Sequence, residues 1–188
     1  MKVSRSELHA ALIKAGRGAG MDVELARQVS RALVWACTHN RPLALSEFIT
    51  TADTTLASET RQVALALDRS VAEPNAGAVA LPAVHAPALL EAMCVAWSEN
   101  YECSFSFTES RTGDLLCIVP SESSAELPCD GAQLSCSELS VAVGTPGFDP
   151  VIDMEVWAQI NALAARTYVP SSDASRASGA GAGLTDTD

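Results

Sequence analysis

The hydrophobic pattern changes period part-way along this chain, and that change restricts the fold more than any other feature. Up to Ser70 the apolar residues recur three to four positions apart, the spacing of amphipathic helices. From Cys103 the period becomes two: Cys103, Phe105 and Phe107 alternate with Ser104, Ser106 and Thr108, as in a half-buried strand. A block of helices followed by alternating strands belongs to the α+β class. A doubly wound fold would interleave the two.

Local signals mark the individual elements. Ser4 or Ser6 caps a first helix carrying Leu8, Ala11, Leu12 and Ala15, and the run Gly16 to Gly20 ends it. Asp22 caps a second helix with Leu25, Val29, Leu33, Ala36 and Cys37 on one face, stopped by His39-Asn40-Arg41-Pro42. A short helical turn is expected over Ser46 to Ile49 and a longer helix over Ser58 to Ser70. Ala78 to Leu81 reads as a short strand. Pro87 opens a helix to about Ser98 that is apolar nearly all round, so it is expected to be the most buried. Ser110 to Gly113 is a turn, and Leu115 to Val119 is the returning strand of a hairpin. Strand character resumes over Gln133 to Val143, with a break near Glu138. Asp149-Pro150 has the form of a cap followed by a first-turn proline, which predicts a last helix bearing Ile152, Val156, Ile160 and Leu163 inward, beside Trp157. The expected organisation is one α+β domain over residues 1–166, with a helical N-terminal half, a small antiparallel sheet and a C-terminal helix. An extended Gly/Ala/Ser-rich arm follows over residues 167–188.

Charge excludes some partners. The net charge of −11 opposes nucleic acid and anionic membrane surfaces, both of which need clustered Lys and Arg. Residues 1–70 hold nine Lys/Arg against seven Asp/Glu, while residues 71–188 hold three against sixteen. Such asymmetry suits attraction between a basic and an acidic half, within a chain or between subunits, and equally a solvated acidic surface. The N-terminus turns polar at once and no stretch has the length of an uninterrupted membrane span, so a cytoplasmic protein with free thiols at its six cysteines is expected.

No motif names a reaction. Gly16 to Gly20 follows a helix, not a strand, and Asp22 behind it would repel a phosphate, which removes a dinucleotide reading. Cys129 and Cys136 are too widely spaced for a zinc knuckle, so no metal or cofactor is expected. His9, His39 and His85 lie in no catalytic pattern and read as surface or capping residues, with His85 kept as a reserve candidate because it precedes a helix. Asp153 and Glu155 read as a solvated helix face.

The arm carries the specific polar set. Arg176 has the fork that holds a carboxylate or phosphate, and Ser172, Ser175 and Tyr168 stand near it in sequence. Asp186 and Asp188 make an acidic tip that needs cations, and Lys14 and Arg17 flank a glycine run where Gly18 and Gly20 let backbone approach backbone. Two functions follow as expectations. In the first, the arm docks on the Arg17 loop and completes an interface, as in a homodimer of accessory function. In the second, the protein is a small-molecule enzyme or binding protein, in which Arg17 and Arg176 bind an anionic metabolite that Tyr168 and Ser175 orient. A solvated tail is what composition alone describes.

Both chain ends resemble a bacterial family catalogued as domain of unknown function 3726. The likeness rests on Ser4-Arg-Ser-Glu7, Lys14 to Gly20 and Trp35. At the other end it rests on Ala164-Ala-Arg-Thr-Tyr-Val-Pro170, Ser172, Ser175-Arg176 and Gly179 to Asp186. Residues 45 to 145 match only in general character. Ser6 and Thr187 depart from the amide residues expected there. The resemblance implies no activity; it implies that the Arg17 loop and the arm are the family's signature.

Overall fold

The computed structural model describes residues 1–52, 54–73, 77–81, 84–113, 115–119, 132–138 and 149–167. Within them lie α1 (Arg5–Gly18), α2 (Val23–Thr38), α3 (Pro42–Thr50), α4 (Thr54–Ala72), β1 (Val79–Ala80), α5 (Pro87–Tyr101), β2 (Cys103–Glu109), β3 (Leu115–Val119), β4 (Ala132–Glu138) and α6 (Met154–Ala165). The α+β class is therefore correct. Among these residues, no helix is long and apolar enough to cross a membrane.

The first two helices form a hairpin for reasons legible in their caps. Ser4 Oγ accepts from the Glu7 amide at 3.2 Å, and Asp22 Oδ1 accepts from the Leu25 amide at 2.9 Å. Gly20 turns the chain between them at φ +92°, a conformation that side chains with a Cβ avoid. Gly18 has a different task. It is the last residue of α1, and a Cβ built there would stand 1.9 Å from the Leu163 carbonyl oxygen of α6. The glycine run is thus a helix end pressed against another helix.

α5 is the centre of the core. Leu89, Leu90, Ala92, Met93, Cys94, Val95, Trp97 and Ser98 are all buried, as its apolar circumference predicts. Proline occupies its first turn and no local side chain caps it. Glu47 of α3 takes that role, accepting from the Leu89 amide at 3.0 Å. Arg41 reaches Glu91 at 2.6 Å, and the Trp97 indole donates to Asp68 of α4 at 2.8 Å. Neighbouring helices therefore supply what a buried helix cannot take from water.

The sheet is antiparallel in the order β1-β4-β2-β3. Phe105 stands opposite Val119 on one side and Cys136 on the other, and Phe107 opposite Leu134. Both phenylalanines are fully buried, facing the side of the sheet that packs on α4 and α5. β2 and β3 slip register between Phe107 and Thr108.

Two boundaries differ from expectation. Pro42 starts α3 instead of merely stopping α2, because its fixed φ suits a first turn. Asp153, not Asp149, caps α6, its Oδ1 accepting from the Glu155 amide at 2.7 Å. The Asp149-Pro150 segment is instead used by the N-terminus: Val3 donates to the Pro150 carbonyl at 3.2 Å and Ile152 donates to the Met1 carbonyl at 2.9 Å. Strand β4 ends at Glu138; residues 139–148, the loop 120–131 and the arm from Tyr168 lie outside the described residues.

Gly18→Ala tests the helix contact. The new methyl meets a carbonyl oxygen, not a flexible side-chain end, so the loss is expected at about 3 kcal/mol. Lys14→Ala, exposed on the same helix, is expected within about 0.5 kcal/mol of wild type. Urea denaturation of both variants measures the difference.

Candidate functional site

The cleft that gathers the most varied chemistry lies where α1, α2 and α5 meet. Arg5, Ser6 and His9 of α1, Arg31, Val34, Trp35 and Thr38 of α2, the adjoining His39, and Glu99 of α5 enclose about 360 Å³. Helical spacing aligns them. Arg5 and His9 are one turn apart on α1, while Arg31, Trp35 and His39 follow at steps of four along α2.

His39 is held by its own helix. Its Nδ1 lies 2.9 Å from the Trp35 carbonyl oxygen. A carbonyl can only accept, so Nδ1 carries the proton and Nε2 of the neutral ring presents a lone pair. The imidazole also stacks on the Trp35 indole, with ring centroids 4.5 Å apart and planes inclined by 26°. The expectation of a capping histidine is met here, with an unused nitrogen left over.

Two buried polar atoms in the cleft-lining residues have no partner among the described residues: His9 Nε2 and Trp35 Nε1. Orphaned buried polar groups cost about 1–3 kcal/mol each and are rare in folded chains. The Trp35 N–H lies near enough to Glu99 to favour the charged carboxylate, although the two are not in hydrogen-bonding alignment. Desolvation nonetheless dominates and raises the Glu99 pKa above its ordinary value, with His39 and Trp35 opposing the shift. Glu99 is exposed as a whole residue, so only part of its surface is withdrawn from water. His9 moves the other way. Burial lowers its pKa first, and the positive charges of Arg31 and Arg27 lower it further.

The cations are not equivalent. Arg27 pairs with Glu24 at 3.8 Å and Arg5 has an interaction of its own. Arg31 is exposed and has no ion pair among the described residues. A second hollow of about 270 Å³ holds Cys37, Leu45, Ile152 and Val156, but its one cation, Arg41, is committed to Glu91.

The residues singled out by sequence fall elsewhere. Lys14 and Arg17 are exposed on the last turns of α1, and Gly18 and Gly20 lie beside them. The end of α6 reaches this point, since the Arg166 Cβ stands 3.4 Å from the place of a Gly18 side chain. Tyr168, Ser172, Ser175, Arg176, Asp186 and Asp188 lie outside the described residues. His85 is tied to Glu59 of α4, through Nδ1 at 2.6 Å and its amide at 3.2 Å, which anchors the segment before α5. Cys94 and Cys103 are buried as core residues, and among the described residues no group of acidic, histidine and cysteine side chains is arranged for a metal. The missed cleft had a signal: Arg5 and His9 on α1, and Arg31, Trp35 and His39 along α2, each recur with a period of four.

No family model, curated protein or solved structure matches the chain.

The two shifted groups predict opposite pH effects. Glu99 holds its proton more tightly when folded, so its contribution is fully present below the ordinary glutamate pKa and is lost as pH rises through the folded value. Glu99→Gln is therefore expected to gain stability relative to wild type as pH rises from the ordinary glutamate value through the raised folded one. His9, with a lowered pKa, contributes stability that is lost as pH falls below the ordinary histidine value of 6.5. His9→Gln is expected to gain on wild type in that acid direction. Denaturant midpoints across the pH range read both slopes.

Proposed function

We propose that the protein binds a small anionic metabolite in the α1–α2–α5 cleft, with Arg31 holding the anion over Trp35 and His9. The observation that carries this reading is the pair of orphaned polar atoms, His9 Nε2 and Trp35 Nε1, in residues lining a cleft whose rim bears an uncommitted arginine. A cleft of about 360 Å³ is at the lower end of small-molecule sites, which span roughly 300–1,000 Å³. His9 is lowered first by burial and then by the charges of Arg31 and Arg27, which places it within electrostatic reach of the proposed anion holder. This reading sets the anion at Arg31, as an alternative to the Arg17 and Arg176 pair expected from the sequence. A cytoplasmic setting suits the free thiols of Cys37, Cys94, Cys103 and Cys136.

A second reading concerns the arm, and a separate observation supports it. The arm begins where the end of α6 meets Gly18, beside the exposed Arg17 and Lys14. This proximity favours docking of the acidic tip, Asp186 and Asp188, on those cations, in the same chain or in a homodimer. The likeness of both chain ends to the uncharacterised bacterial family agrees with it, since Arg166, at the start of the C-terminal likeness, stands beside Gly18 of the N-terminal one. The two readings use opposite ends of α1 and are compatible.

Thermal unfolding with a panel of small carboxylates and phosphates tests the first reading. At about ten times Kd, a ligand specific for the folded state adds about 1.4 kcal/mol, or roughly 3–6 °C for a chain of this size. Arg31→Gln is expected to abolish the shift while Arg17→Gln keeps it. The reverse pattern would return the anion site to the glycine loop.

A further inference from the structure

Resting on that reading, we infer that the cleft is built for a two-ended ligand: an anionic group at Arg31 and, several bonds away, a hydrogen-bond donor received by Glu99 and His39 Nε2. A site for a bare anion has no use for a carboxylate at its rim, because the two repel. This cleft nevertheless places Glu99 in the same lining as Arg31. His39 adds a second acceptor on the same side. In the neutral ring the Nδ1 proton is spent on the Trp35 carbonyl, which leaves the Nε2 lone pair, with no partner among the described residues.

The poles are separated along α2. Arg31 and His39 are eight residues apart, about 12 Å along the axis before side-chain lengths are counted, with Trp35 midway. Proximity divides the same way, with Arg31 within electrostatic reach of His9 and His39 within reach of Glu99. A ligand with adjacent acid and donor groups would reach only one pole. One with an aliphatic spacer lays that spacer against the Trp35 ring, which the stacked His39 holds in place. The chemical class is an ω-hydroxy or ω-amino acid. Hydroxyl and ammonium ends share the donor that Glu99 requires.

Titration of the full chain with valerate, δ-hydroxyvalerate and δ-aminovalerate, followed by ligand-observed NMR, tests this. Wild type is expected to bind at least one donor-bearing acid about tenfold more tightly than valerate, the worth of one hydrogen bond to a charged group. Preference for the amino over the hydroxy acid would assign the donor as ammonium, and the converse as hydroxyl. Glu99→Gln is expected to reduce the preference to less than about twofold while valerate binding persists. Arg31→Gln is expected to weaken all three acids alike. Circular dichroism verifies the fold of both variants, whose altered side chains are exposed. Equal binding of the three acids by wild type, or an undiminished preference in Glu99→Gln, would overturn the two-ended ligand and leave the anion site standing. Failure of every acid to bind, in a protein that still binds phosphate at Arg31, would overturn it in the same way. Failure of all anions would remove the site itself.

Discussion

The structure depends on burying α5 on nearly every side. A helix without a solvent face must have its first amides, its charged residues and its indole satisfied by other elements, and here each has a named partner. Glu47 takes the Leu89 amide, Arg41 neutralises Glu91, and Asp68 takes the Trp97 N–H. The cost is visible in the carboxylates, since desolvation raises the pKa of both Glu47 and Glu91 against those favourable contacts. The surrounding helices are placed where those partners reach, and the sheet closes the remaining side with Phe105 and Phe107.

The cleft follows from the end of that burial. Past Trp97 and Ser98, α5 reaches the surface at Glu99 and Asn100, where α2 runs beside it and α1 supplies the far wall of the cleft. Gly16 of α1 lies close against Ala26 of α2, while Arg31, Trp35 and His39 face the cleft. The opposite end of α1 is closed by Gly18 against the Leu163 carbonyl. One helix therefore serves two regions: His9 in the cleft, and Arg17, eight residues on and about 12 Å away, at the root of the arm.

Much of this architecture could be read from the chain, and the failures have physical causes. Asp22 was a legible cap and Ser4 one of two candidates with Ser6, because a short side-chain acceptor before an apolar stripe has little other purpose. The burial of α5 was legible from an apolar circumference. Asp149-Pro150 misled because a non-local partner, the N-terminal segment at Met1 and Val3, claimed the backbone that a helix would have used. Gly18 misled because a glycine reserved for a neighbouring helix looks in sequence like a loop glycine. The cleft was hidden for a related reason. His9, His39 and Glu99 are unremarkable individually, and only the crossing of three helices brings them together.

The most direct measurement follows the three tryptophan indole N–H signals by two-dimensional NMR while a small carboxylate or phosphate is added. Trp97 is bonded to Asp68 and Trp157 belongs to α6, so neither lies in the cleft. The account predicts that the Trp35 indole signal moves saturably while the other two stay in place. A saturable shift that spared Trp35 and moved backbone amides around Arg17 would contradict it.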